Sequence, residues 1–265
     1  MMNTVRDRRV MRETARTRRR VDDLVLPEMG IELIGPHLAL PGLRAFYPMS
    51  AQGAGGQAID VTIGNQLTYN GNPAYGYDDQ VPYCRYDGTG DYHDIADAAS
   101  GNIFDILGTE TIVQSAYRGL SVSAWIYPEE TSTLEYILSK WGGAGNRAYV
   151  LFIDASDQIN FAVSDDGTNF DTATSAAVTM SAWYHVVGRF RPSAFVDVFV
   201  NGVLVEQATA RAAVANSATN FSIGAQAGGT LPYQGRVSLG AVCAMALSDE
   251  LVRTLYEQTR GAFGV

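Results

Sequence analysis

Seven aspartates crowd residues 78–105, namely Asp78, Asp79, Asp87, Asp91, Asp94, Asp97 and Asp105. A calcium ion takes six to eight oxygen ligands, and acidic loops can supply them. Asp87, Asp91 and Asp94 are the nearest thing to such a set. Their spacing is not that of an EF-hand loop, however, and aspartate is also an ordinary turn residue. Apart from this weak calcium candidate, no cofactor is expected. Retaining glycoside hydrolysis needs two carboxyls roughly 5 Å apart. Asp197 and Glu206 are expected to face each other across a hairpin, while Glu129-Glu130 and Glu135 fall in or beside a turn. No nucleophile stands at a telling distance from His37, His93 or His185, and there is no Gly-x-Ser-x-Gly and no P-loop. No catalytic residues are assigned, and the chain reads as a non-enzyme. Tyr69, Tyr75, Tyr77 and Tyr233 lie in Gly/Pro-rich segments, where they could meet a glycan or simply cover the ends of the fold. Trp125, Trp141 and Trp183 read as core, and His185 as a half-buried strand residue.

A second chemistry sits at the N-terminus. Residues 1–20 carry Arg6, Arg8, Arg9, Arg12, Arg16, Arg18, Arg19 and Arg20 against Asp7 and Glu13, which leaves +6. The chain as a whole carries −9, so the other residues carry −15. Such asymmetry between tail and body suggests an interaction arm. Guanidinium forks pair carboxylates bidentately, so an acidic protein surface is the expected partner. No aromatic residue is interleaved, which argues against nucleic acid. Residues 22–41 are apolar but broken by Pro27, Gly30, Gly35, Pro36 and Pro41, and are expected to run as an extended linker. Within it, His37 is expected to pack or hydrogen-bond. The domain division is therefore residues 1–40, arm and linker docking on partner subunits, and residues 41–265, a folded body.

The elements that would position these groups are short strands. Asn201-Gly202 demands a type I′ turn, because both central residues need φ > 0. Val200 then pairs with Val203. Val196, Val198, Val200, Val203 and Val205 are expected on one face, with Phe195, Asp197, Phe199, Leu204 and Glu206 on the other. In LSVSAWIY, Leu120, Val122, Ala124 and Ile126 alternate with Ser121, Ser123, Trp125 and Tyr127. At the C-terminus, SDELVRTLYEQTRG predicts a short helix capped by Ser248, with Leu251 and Leu255 on one face. Many strands with Gly-rich turns predict an all-β sandwich or jelly roll. No apolar run is long enough for a membrane span, and the basic start lacks the apolar core of a signal peptide. Cys84 and Cys243 are read as buried thiols, with a bridge between them as the alternative.

The order of motifs resembles the laminin-G-like domains of the concanavalin A-like lectin/glucanase superfamily. In sequence they are PGLRAFYPMS, YDGTGDY, LSVSAWIYP, ILSKW, WYHVVGRF, VFVNGVLV, FSIGA and GRVSLGAVCAMALSDELVRTLYEQ, together spanning residues 41–258. Two departures stand out. Phe46-Tyr47 replaces the usual Trp of the opening strand, and Arg236-Val237 replaces an Ile-Asp pair. The resemblance implies two antiparallel sheets packed face to face, with an N-terminal arm outside them. Glycanases of the superfamily carry Glu-x-Asp-x-x-Glu on one strand, and this chain has no such string. Similar domains also serve in virus particles. With the arm, this implies a virion structural protein: a phage capsid decoration or cement protein in a symmetric homo-oligomer, held to other virion proteins by its arm. The alternatives are a tail or fibre component, an adhesion lectin binding host glycans, and, last, a glycoside hydrolase.

Overall fold

The computed structural model describes residues 31–50, 56–78, 81–109 and 117–265. The arginines of residues 6–20 lie outside this range. Two short helices flank the strands: α1 (Ile31–Leu38) and α2 (Asp249–Thr259).

Two antiparallel sheets form a sandwich. The larger runs in the order β13 (Val203–Ala208), β12 (Phe195–Val200), β11 (Tyr184–Arg191), β6 (Leu120–Pro128), β15 (Gln234–Cys243), β4 (Val81–Asp87), β3 (Ala74–Asp78). Its eighth strand, β1 (Leu43–Tyr47), also pairs with β15. The long β15 serves two partners by bending at Leu239, where φ is +49°: residues before the bend pair with β4, residues after it with β1. The smaller sheet runs β10 (Phe170–Ala177), β9 (Gln158–Ser164), β8 (Arg147–Ile153), β7 (Glu135–Trp141), β14 (Phe221–Ile223), β5 (Tyr92–Ile95), β2 (Thr68–Asn70).

Period 2 decides what each strand buries. Leu120, Val122, Ala124 and Ile126 of β6 enter the core between the sheets, with Leu151, Phe161, Val186, Val198, Phe221 and Ile223. Gly188 makes room for the facing sheet: a Cβ there would lie 2.2 Å from the Phe161 ring. Cys84 and Cys243 are buried free thiols, and burial pushes the Cys243 thiol up to about 12. The Asn201-Gly202 turn has φ of +51° and +75° and pairs Val200 with Val203, as a type I′ turn requires.

Beyond that turn the expected register fails. A bulge sets Phe199 opposite Leu204 but Val198 opposite Glu206, so Val205 is an inserted residue. Val205 therefore leaves the valine face, and Asp197 lies opposite Gln207 rather than Glu206.

Trp125 points away from the core. Its ring stacks on Phe263 at 3.9 Å, and its Nε1 donates to Thr259 Oγ1 at 3.0 Å. Ile34, Phe46, Trp183 and Leu239 complete this outer cluster, and α2 buries Val252 and Leu255 beside it against Val187 and Phe199. Ser248 caps α2 by accepting from Leu251 N–H. The expectation of an extended linker is corrected for residues 31–38, which form a helix despite Gly35 and Pro36. Burying Ile34 and Leu40 on the body outweighs the helix-breaking residues. His37 stacks on Phe46 at 4.7 Å.

Lys140, the sole lysine, is fully buried at one end of the sandwich. Its Nζ lies 2.6 Å from Asp97 Oδ1, 3.0 Å from Asp105 Oδ1 and 3.0 Å from the Thr219 carbonyl oxygen. Two loops, the β5–β6 and β13–β14 connections, are thereby tied to one ammonium. Lys140→Met should leave two largely buried carboxylates facing each other without a cation, at a cost of about 3–5 kcal/mol in urea unfolding. A loss below about 1 kcal/mol would mean that the triad does not hold these loops.

Two histidines make the fold acid-sensitive. His93 is buried, with the Tyr86 hydroxyl 2.9 Å from Nδ1 and the Gly56 carbonyl oxygen 3.1 Å from Nε2, an arrangement suited to a neutral ring. Burial lowers its pKa to about 4. His185 is buried rather than half-buried, lying 5.3 Å from the Trp125 ring, and neither ring nitrogen has a partner among the described residues. Burial, with a smaller contribution from His37, lowers it to about 3. Both groups bind fewer protons folded than unfolded. Their stability is complete above the unfolded value of about 6.5 and is lost as pH falls towards 4 and 3. Glu135, raised by burial to about 7, acts with the opposite sign across part of this window. The comparison with His185→Leu isolates the ring: between pH 7 and 4.5 wild type should lose about 2–3 kcal/mol more than the variant in urea unfolding. Parallel pH profiles would refute this.

Candidate functional site

The two sheets differ in their outer faces. That of the larger sheet is sealed by α1, α2 and Phe263. The seven-stranded sheet carries no helix among the described residues, and its outward side chains form a separate apolar cluster of Tyr136, Trp141, Val150 and Ala162, joined by Phe152 and Leu231.

Cross-strand register sets the layout. Thr68, Asp94, Ser222, Ser139, Val150, Ala162 and Thr172 are successive partners and make one row across all seven strands. The middle of this row is small. On one side stand Phe152, two residues from Val150, and Tyr136, three from Ser139 across a bulge, their rings 5.6 Å apart. On the other side stand Trp141 and Phe170, 5.3 Å apart and edge to face. The aromatic flanks are about four residues apart, roughly 13 Å, since a strand rises about 3.3 Å per residue. Ser222, Ser139, Val150 and Ala162 are buried, and so are Tyr136 (8% exposed) and Trp141 (4%), so a ligand would meet the exposed Phe170 and the half-buried Phe152 and Arg147. Two β-bulges, one within Tyr136–Leu138 and one beside Trp141, set the rings outward while Ile137, Leu138 and Ala148 stay in the core.

Polar groups complete the face. Arg147, opposite Trp141, lays its guanidinium 5.6 Å from the Trp141 ring centre and 5.3 Å from that of Phe170. Its Nη1 donates to the Thr168 carbonyl at 2.7 Å. Asp94 accepts from Asn70 Nδ2 at 3.0 Å and Asn220 Nδ2 at 2.8 Å. Asn160 Nδ2 donates to Asp154 Oδ2 at 3.0 Å, and the Thr174 hydroxyl donates to Asn160 Oδ1 at 2.6 Å. The Ser222 hydroxyl, buried in the floor, has no partner among the described residues.

The sequence-based site residues are dispersed. Asp87 Oδ1 accepts the Thr89 N–H at 2.7 Å and Asp91 Oδ1 the Asn72 N–H at 2.5 Å, while Asp94 is held by its two amides. Each carboxylate serves a different turn or strand, and no group of three metal-ligating side chains occurs among the described residues. Asp97 and Asp105 serve Lys140. Tyr69 is in β2, and Tyr75 and Tyr77 are in β3, strands rather than loops. The Tyr75 hydroxyl reaches His93 at 2.8 Å and Tyr77 donates to the Ser50 carbonyl at 2.6 Å. Tyr233 lies in the core. Asp197 is buried and ion-paired with Arg189. Trp125 and Trp183 are buried beneath the helices, whereas Trp141 belongs to the outer face of the smaller sheet. Sequence reasoning missed Tyr136, Arg147, Phe152 and Phe170. Alternation within RAYVLFI sets Phe152 with Val150 opposite the core residues Tyr149, Leu151 and Ile153, but no such signal marks Tyr136, Arg147 or Phe170.

Residues 87–253 match the laminin G model of the concanavalin A-like lectin/glucanases superfamily. The chain belongs to that superfamily. No curated protein matches it in sequence. Among solved structures, the binding domain of botulinum neurotoxin DC in complex with SialylT superposes with a TM-score of 0.60 at 10% identity, over 82% of this chain and 51% of that one. The same toxin's binding domain in complex with rat synaptotagmin II gives 0.55 at 11% identity, over 82% and 51%. Trypanosoma rangeli sialidase in complex with sialic acid gives 0.59 at 17% identity, over 83% and 33%. This superfamily member thus spans about half the length of the toxin domains it matches, and the likeness is one of fold. The described residues contain no helix long and apolar enough to cross a membrane.

Proposed function

We propose that the chain is a non-catalytic carbohydrate-binding module whose ligand lies on the outer face of the seven-stranded sheet. One observation carries the reading. Two pairs of outward aromatic rings flank a floor of small side chains, on the sheet face that no described helix covers. Rings pack against the apolar faces of sugars, while nearby amides and hydroxyls satisfy their edges. The sialic acid named with the sialidase neighbour accords with such a ligand. Hydrolysis has less support. The floor offers Ser222, Ser139, Val150 and Ala162, none of which can protonate a leaving group. Asp94, next to the end of the row, is held by two amides.

Phe170 is exposed at the rim, so its truncation should remove contact area without unfolding the body. On a glycan array, wild type should bind a restricted set of saccharides, and Phe170→Ala should weaken that binding about tenfold, about 1.4 kcal/mol. Absence of binding across the array, or unchanged binding by the variant, would count against this face.

A second reading, particle structure, is favoured by one specific observation: eight arginines precede an acidic body. In this reading the module is a virion component, on a capsid, tail or fibre, with its arm repeated in a symmetric assembly so that each copy adds the same contact. Removing residues 1–21 leaves α1 intact. The truncated protein should keep the melting transition of the full chain and lose incorporation into particles. Normal incorporation would end the arm hypothesis.

A further inference from the structure

We infer that the ligand carries an acidic group, a carboxylate or sulfate on a saccharide, and that Arg147 receives it. The inference rests on the carbohydrate reading and adds to it a charge requirement and a residue.

The argument begins with how acids are used near Trp141. The loop and strand beside Arg147 hold Asp165, Asp166 and Asp171. Asp165 and Asp171 both turn to Arg211, at 3.0 and 3.6 Å. Asp166 accepts the N–H groups of Thr168 and Asn169 and the Asn169 side-chain amide, each at 2.7 Å. Lys140, on the neighbouring strand, points inward and is neutralised by Asp97 and Asp105. Arg147 is different. It has one carbonyl acceptor, two aromatic rings and no carboxylate among the described residues. Arg85, Arg189, Arg211, Arg236 and Arg260 pair with acids, whereas Arg44, Arg118, Arg191 and Arg253 form no ion pair among the described residues, Arg191 lying near one ring, Phe195. Among the described arginines, Arg147 alone combines contact with two rings and the lack of an ion pair.

The rings fit the guanidinium for binding. Stacking restrains its plane at little cost in hydration, since this cation is weakly hydrated. A planar fork already held in place loses less freedom when it takes a carboxylate or sulfate bidentately. Its charge also acts along the face. Burial pushes the Tyr136 phenol above its ordinary value, and Arg147 opposes that shift from the far flank. A saccharide lying between the flanks would thus present its acidic group to Arg147 and its ring to the aromatic side chains.

The test is an array of matched saccharides in neutral, carboxylated and sulfated forms, probed with the full chain, Arg147→Gln and Arg147→Lys. Wild type should select acidic members over their neutral counterparts, with affinity falling as salt rises. Arg147→Gln should lose about ten- to hundredfold on acidic members and little on neutral ones. Arg147→Lys should recover part of the loss, because charge returns without the fork. Carboxylated and sulfated arms show which acid is preferred. Matching melting transitions confirm that the variants fold, and the Lys variant serves if the Gln variant does not. Equal binding of neutral and acidic members, unaltered in the variants, would overturn the charge requirement while leaving the carbohydrate reading intact. No binding to any saccharide would overturn both.

Discussion

The indole of Trp125 is the point on which the architecture turns. It leaves the core side of β6, lies flat on Phe263 and donates its N–H to Thr259. A tryptophan facing outward from a sheet has to be covered, and its N–H has to be satisfied. The C-terminal helix and the residues after it meet both demands. The helix α1 packs beside them, with Ile34 in the same cluster. One face of the sandwich is thereby committed to self-packing. The opposite outer face carries no helix among the described residues.

The same division separates two kinds of charge. Paired charges do structural work: Arg189 joins Asp197 and Asp249 beneath the start of α2, and Lys140 gathers the loops at one end. A buried ion pair of this sort is costly to break and specifies geometry more than it adds net stability. Arg147 belongs to neither network. It rests on rings whose quadrupoles favour a cation but do not neutralise it. The face is thus an apolar platform with one stacked guanidinium at its edge.

Much of the body was legible in the letters, because alternation and turn chemistry are local. The β6 pattern divided Leu120, Val122, Ala124 and Ile126 from Trp125, and the Asn201-Gly202 turn fixed the head of its hairpin. The Ser248 cap and the fold class followed in the same way. The failures have physical causes. A bulge adds one residue and inverts the faces beyond it, so Val205 and Glu206 could not be placed from period 2 alone. Ile31–Leu38 became a helix because tertiary burial of Ile34 overrode Gly35 and Pro36. The candidate site was harder still. Tyr136, Trp141, Arg147 and Phe170 lie on three strands and are gathered by cross-strand register, with bulges turning two of them outward. No spacing within one strand reveals such a set. Of the tyrosines singled out from their glycine-rich surroundings, Tyr233 lies in the core and Tyr75 packs against it, while Tyr69 and Tyr77 are exposed on β2 and β3.

The burial of Lys140 also governs how the molecule can be handled. With the chain's single lysine closed off inside the sandwich, amine-reactive dyes, biotin esters and lysine-directed cross-linkers find no side-chain amine on the surface of the body. Attachment through such reagents would therefore leave the aromatic face chemically untouched. Digestion at basic residues reports almost entirely on arginine, so the cleavage map of the folded protein is a map of guanidinium exposure.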